Sequence, residues 1–141
     1  RKITLWPGYC PTHQFIRAGD IAALKKHYPG AQVLVHPECS GEVTSLADKV
    51  LGTGGMLTYA RESAADAFII GTESGIIHRL AKENPGKRFI PASERAVCPN
   101  MKRISLEKIL WSLQDLRHEV RVPEELRARA KTAVDRMISI R

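Results

Sequence analysis

Two of this chain's three cysteines lie in loops that we expect to follow strands, where a thiol can ligate a metal or act as a nucleophile. Cys10 lies in WPGYCPTH and Cys98 in VCPNMK, while Cys39 ends the segment VHPEC. Their odd number and wide spacing argue against a disulfide framework and favour a reducing compartment. The pattern leaves four uses open: inert buried thiols, a metal or cluster on distant thiolates, a nucleophile, or a zinc site built on Cys10 and His13.

The segment VHPEC also places an imidazole and a carboxylate two residues apart at the end of a strand-like run. In extended chain this spacing turns both side chains toward the same face. A histidine titrates near neutral pH, and partial burial can raise the pKa of a glutamate, so His36 and Glu38 could exchange protons. The alternative is a pair that local backbone groups satisfy.

Two glycine turns could bind anions. Gly52–Gly55 precedes a predicted helix, whose first backbone N–H groups could face a phosphate or carboxylate. An ordinary turn is the alternative, since a dinucleotide fingerprint and a P-loop lysine are missing. Gly71–Gly75 is a similar strand-to-helix turn, in which Thr72 could instead be a helix cap.

Short apolar runs alternate with helical patterns along most of the chain. The predicted strands are Ile3–Trp6, Gln32–Val35, Ala67–Ile70 and Arg88–Ile90. The predicted helices are Ala18–His27, Glu42–Val50, Met56–Ala64, Gly75–Glu83, Ser105–His118 and Pro123–Ile140. This order predicts a three-layer α/β/α unit with a short parallel sheet, followed by two C-terminal helices.

The predicted sheet brings the polar candidates together. In a parallel sheet the residues that follow the carboxyl end of each strand gather along one edge, where ligands bind. His36 and Glu38 follow one strand, Thr72 and Glu73 the next, and Cys98 the last. The edge is therefore the predicted site.

Composition narrows the function classes. The formal net charge is +7, but the basic side chains of the C-terminal helices alternate with acidic ones, as on a solvated helix face. We therefore expect no nucleic-acid partner and consider attraction of small anions an equal use of the charge.

A long apolar run is missing, so we expect no membrane partner and a cytoplasmic protein. Because the chain begins at Arg1 without Met, we expect a piece of a longer polypeptide.

Five segments in this order resemble the C-terminal part of the quinolinate synthase family. They are GYCPTH, VHPEC, the glycine turn before Met56, FIIGTESG and CPNMK, and the resemblance covers Ile3 to about Leu113. It implies three similar α/β domains around a pseudo-threefold axis, each of which contributes one cysteine to a single 4Fe-4S cluster. Residues 1–16 would then be the tail of the second domain with a ligand loop, 17–104 the third domain, and 105–141 the C-terminal helices.

The resemblance also implies a ligand set and a reaction. Cys10 and Cys98 match cluster ligands, Cys39 matches a non-ligand position, and the third ligand would lie in the missing N-terminal part. One iron would stay open as a Lewis acid. The family condenses iminoaspartate with dihydroxyacetone phosphate to quinolinate, with loss of water and phosphate, in NAD biosynthesis. L-aspartate oxidase, which would supply iminoaspartate, is a possible functional partner.

Residue matches assign the substrate pocket. His36 and Glu38 match active-site residues, with Glu38 as the acid–base candidate, and His13 matches another pocket residue. Thr53 stands where the family commonly has Ser, and Gly54 where it has Thr, in a turn that holds substrate anions. Thr72 and Glu73 match a recurrent motif that would either line the pocket or have a structural role. The alternative from another class is a non-enzymatic α/β module that binds a phosphorylated metabolite or zinc.

Overall fold

A computed structural model describes residue 2, residue 4 and residues 7–140 of the chain. The predicted strand Ile3–Trp6 lies largely outside these residues. The chain divides into two compact units, Arg1–Pro99 and Asn100–Arg141.

The first unit contains a parallel sheet in the strand order β2-β1-β3-β4. Its strands are β1 (Gln32–Val35), β2 (Lys49–Val50), β3 (Ala67–Gly71) and β4 (Arg88–Pro91). Its helices are α1 (Pro11–Gln14), α2 (Ala18–His27), α3 (Gly41–Thr44), α4 (Thr53–Glu62) and α5 (Ile76–Glu83).

Both faces of this sheet are covered, which is why its central strands are continuous apolar runs. In β3, Ile69 packs into one core cluster with Ile21 of α2, whereas Phe68 packs into a second cluster with Met56 of α4 and Leu80 of α5. All five side chains are almost fully buried. The predicted α/β class with a parallel sheet is confirmed.

The prediction of one helix over Glu42–Val50 was wrong. Helix α3 ends at Thr44, and Lys49–Val50 forms β2 beside β1. The Asp48 carboxylate accepts the backbone N–H of Val33 at 2.7 Å, and the Asp48 N–H donates to the Val33 carbonyl at 2.9 Å. These bonds tie the segment to the sheet, so tertiary pairing outweighs the helical pattern.

The second unit consists of a short 3₁₀ turn (Met101–Arg103), α6 (Leu106–Asp115) and α7 (Glu124–Ile138). The Ser105 hydroxyl caps α6 by accepting the N–H of Lys108 at 3.4 Å, and Leu116 ends this helix in the left-handed region with φ of 50°. Both predicted C-terminal helices are confirmed, and both are shorter than predicted. Among the described residues, no helix is long and apolar enough to cross a membrane.

Candidate active site at the carboxyl edge of the sheet

The site is built on the ends of two neighbouring strands. His36 directly follows β1 and Thr72 directly follows β3, and these strands pair in parallel. The N–H of His36 donates to the carbonyl of Gly71 at 2.9 Å, which extends the pairing to the edge. A Cβ added at Gly71 would lie 2.7 Å from Cγ1 of Val35, so only glycine allows the strands to approach this closely.

Helix α1 brings His13 onto this edge. Pro11 occupies the first turn, where its missing N–H costs nothing, and so favours this short helix in a segment that the sequence indicated as loop. Nε2 of His13 lies 2.9 Å from Oγ1 of Thr72, and both residues are buried. The His13 ring stacks on the His36 ring with centroids 4.4 Å apart and planes within 9°.

The Glu38 carboxylate faces both imidazoles. Its Oε2 lies 3.1 Å from Nδ1 of His13 and 3.5 Å from Nδ1 of His36. The side chain of Glu38 is 56% exposed, whereas those of His13 and His36 are 8% and 19% exposed. Glu38 can therefore exchange protons with a ligand or water while its inner side stays in contact with the histidines.

The protonation of His13 follows from these contacts. Burial, and then the proximity of His36, lower the pKa of His13, while Glu38 opposes the shift, so the ring is mainly neutral at neutral pH. The nearby carboxylate favours a proton on Nδ1, although the two atoms are not aligned as a hydrogen bond and buried Nδ1 has no hydrogen-bond partner in the described chain. We therefore assign Nε2 as the acceptor of the Thr72 hydroxyl.

His36 has the opposite tautomer. Its Nδ1 accepts the backbone N–H of Glu38 at 3.3 Å. In the neutral ring the proton then resides on Nε2. His36 can thus donate a hydrogen bond to a ligand oxygen next to the Glu38 carboxylate, which can only accept one. The predicted acid–base pair has a geometry suited to that chemistry.

The three cysteines occupy different environments. Cys39 is 7% exposed, and its thiol donates to the Gly71 carbonyl at 3.4 Å. Burial raises the pKa of Cys39 to about 11, so it remains a protonated thiol at neutral pH. Cys10 and Cys98 are both half-buried, and neither is in a disulfide. Cys10 and Cys98 are thus more exposed than Cys39, whose thiol is held inside the core.

The loops that carry Cys10 and Cys98 attach to consecutive residues after β3. Helix α1, which begins after Cys10, is held through His13 by Thr72, and the N–H of Cys98 donates to Oε1 of Glu73 at 3.3 Å. Two accessible thiols held to one strand end fit the soft ligand set of an iron–sulfur cluster. Cys10, His13 and Glu38 also offer ligand atoms within 4.8 Å of one another, which would suit a single metal ion.

The glycine turn lies after the edge strand β2. Gly52 caps α4, and Thr53 and Gly54 form its first turn, all exposed. A Cβ added at Gly54 would meet no atom within 4 Å, so a larger residue would fit there. The structure thus brings together Cys10, His13, His36, Glu38 and Thr72, while Thr53 and Gly54 lie at the start of α4.

Sequence reasoning missed two contacts of the site. One joins His13 to Thr72, and the other joins Glu73 to Cys98. Each links residues that are far apart in sequence, and periodicity carries no signal for such a pair. The available hint was Glu73, a glutamate two residues after a buried strand, where a charge needs a partner.

Comparison with known proteins identifies relatives along the whole chain. The family described as "Quinolinate synthetase A protein" matches residues 1–139. A quinolinate synthase of Dehalococcoides mccartyi strain CBDB1 is 55% identical over 140 residues, which are 99% of this chain and 46% of that protein. Quinolinate synthase 1 of Methanosarcina acetivorans is 49% identical over 141 residues, which are 100% of this chain and 46% of that protein. The chain spans about half the length of the curated relatives it matches.

Proposed function

This chain belongs to the quinolinate synthase family, and we propose that it forms part of the active site of a transferase in NAD biosynthesis. The whole protein would condense iminoaspartate with dihydroxyacetone phosphate to quinolinate, with loss of water and phosphate. The observation that supports this most directly is the Glu38 carboxylate beside two stacked histidines, close to the accessible Cys10 thiol.

Cys10 and Cys98 would hold a 4Fe-4S cluster together with a third cysteine outside this chain. The bound cluster supplies an iron Lewis acid that polarises a substrate carbonyl or hydroxyl. Cys39 would take no part, because its buried thiol donates a hydrogen bond to the Gly71 carbonyl. This proposal also assigns residues 17–104 to the third of three similar domains.

The side chains of this chain would bind substrate and move protons. Glu38 removes a proton from carbon or nitrogen, since its carboxylate is exposed on one side. His36 donates through Nε2–H to a substrate oxygen that gains charge. His13, fixed by Thr72, would line the pocket with its Nδ1 3.1 Å from the Glu38 carboxylate.

Anion binding would fall to the first turn of α4. Thr53 can donate its hydroxyl, and the backbone N–H groups at Thr53 and Gly54 lie at the positive end of a ten-residue helix. The family commonly has Thr at the position of Gly54, so this chain would lack one hydroxyl contact to the anion but keep the backbone N–H donors. A phosphate or carboxylate of the substrates is the expected ligand. An L-aspartate oxidase would be the source of iminoaspartate, which links the two enzymes functionally.

The test is a quinolinate assay on the full-length protein that contains this chain, prepared without oxygen. Glu38→Gln keeps the shape of the side chain but cannot accept a proton, so turnover should fall about 100-fold or more while iron is retained. Glu62→Gln is the matched control, because Glu62 is 68% exposed at the far end of α4. Turnover of the Glu38→Gln protein at the control rate would assign Glu38 to structure instead.

A second candidate follows from the group Cys10, His13 and Glu38, whose ligand atoms lie within 4.8 Å of one another. Thiolate, imidazole and carboxylate are zinc ligands, so the unit could be a non-enzymatic α/β module that binds zinc or a phosphorylated metabolite. Metal analysis separates the two functions. Zinc without acid-labile sulfide supports the module, and iron with sulfide supports the synthase.

A further inference from the structure

Glu73 lies directly after Thr72 at the end of β3 and is only 8% exposed. Its Oε2 accepts the N–H of Gly75 at 2.8 Å, within its own turn. Its Oε1 accepts the N–H of Cys98 at 3.3 Å, 25 residues along the chain. A single buried carboxylate therefore joins the turn after β3 to the backbone of a proposed cluster ligand.

A second bond runs beside this one. The N–H of Ser74 donates to the carbonyl of Ala96 at 2.9 Å, and Ala96 is fully buried. The segment after β4 is thus attached to the segment after β3 at two neighbouring points. The Ser74 bond holds the loop, whereas the Glu73 bond acts on Cys98 itself.

The chemistry of this contact requires a carboxylate. Both oxygens accept a backbone N–H, and charge-assisted bonds of this kind are stronger than neutral ones. Glutamine has the same shape but only one acceptor, so its amide NH₂ would face one of the two N–H groups. Burial of a charge is costly, and a neutral residue would be favoured if filling space were the only task.

We propose that Glu73 is the positioning residue that fixes Cys98 for the cluster, an inference that rests on the proposed function. It holds the Cys98 backbone in place before and after the cluster binds, and thereby slows the loss of iron. Its negative charge lies next to a cluster ligand, so it opposes the addition of an electron to the cluster and lowers the reduction potential. Glu73 would thus set both the retention of the cluster and its reduction potential.

The experiment compares Glu73→Gln with the unsubstituted full-length protein, both purified without oxygen. Two quantities are measured: the rate at which a chelator removes iron, and the midpoint potential of the cluster. Because one of the two carboxylate bonds is lost, iron should leave about 10-fold faster, and the potential should become more positive. Glu83→Gln is the matched control, since it removes a surface carboxylate that pairs with Arg79 on α5. This control should move neither quantity.

Each outcome decides a different claim. A folded Glu73→Gln protein with the unsubstituted iron-release rate and potential would overturn the role of Glu73, and so would a lower melting temperature without a change in potential. If Glu73→Gln does not fold, amide hydrogen exchange at Cys98 in the unsubstituted protein decides: protection supports the contact, and exchange at the rate of an open loop overturns it. Absence of iron and sulfide from the unsubstituted protein would instead overturn the proposed function, and this inference with it.

Discussion

Replacement of Thr72 by valine tests the link between α1 and the sheet. The Thr72 hydroxyl lies 2.9 Å from Nε2 of His13, and the two residues are 3% and 7% exposed. Valine fills the same space but leaves the imidazole nitrogen without its partner. Because little water can reach this nitrogen, the free energy of unfolding should fall by about 2 kcal/mol, within the range for an unsatisfied buried group.

A second variant with serine at position 72 separates the contribution of the Thr72 hydroxyl to stability from that of its methyl group. Thr72→Ser keeps the bond to His13 and loses one buried methyl, so it should cost only about 0.8 kcal/mol. Equilibrium urea unfolding followed by circular dichroism measures both values. In a double-mutant cycle with His13→Phe, the coupling between the two positions should be about 1 kcal/mol or more. Valine at least as stable as serine, together with a coupling near zero, would refute the contact and the tautomer assigned to His13.

Two further predictions concern stability. Gly71→Ala should lower the free energy of unfolding by about 1–3 kcal/mol, because the added Cβ would lie 2.7 Å from Val35. Gly19→Ala is the control and should not lower it, because a Cβ at Gly19 would meet no atom within 4 Å. Equal urea midpoints for the two variants would contradict this prediction. Since burial lowers the pKa of His13 below its ordinary value of 6.5, protons bind the unfolded chain more tightly. The free energy of unfolding should therefore decrease as the pH falls below 6.5, and it should decrease less in His13→Gln. Urea unfolding at several pH values measures both proteins. The same pH dependence in the two proteins would argue against a neutral buried His13.

Much of the fold could be predicted because its determinants are local. Apolar runs such as Ala67–Ile70, bounded by polar and glycine residues, indicate buried parallel strands without further information, and the strand observed there extends by one residue to Gly71. The segment Glu42–Val50 could not be predicted, because its pattern is helical and only the bonds of Asp48 to Val33 place its end in the sheet. Such pairing depends on how distant segments meet.

The same distinction applies to the site. Strand order alone places His36 and Thr72 at one edge, and both lie there. The docking of α1 decides that His13 stacks on His36, and the path of the loop after β4 decides that Cys98 meets Glu73. Only the structure places the Cys39 thiol in the core, although this residue follows Glu38 in the same segment.

The most direct test of the proposed ligand set is the content of iron and acid-labile sulfide in the full-length protein, purified without oxygen. We expect about four of each per chain, lost in Cys10→Ser and in Cys98→Ser but retained in Cys39→Ser. Equal loss from all three variants would contradict the ligand assignment. Zinc without sulfide in the unsubstituted protein would contradict the synthase function itself.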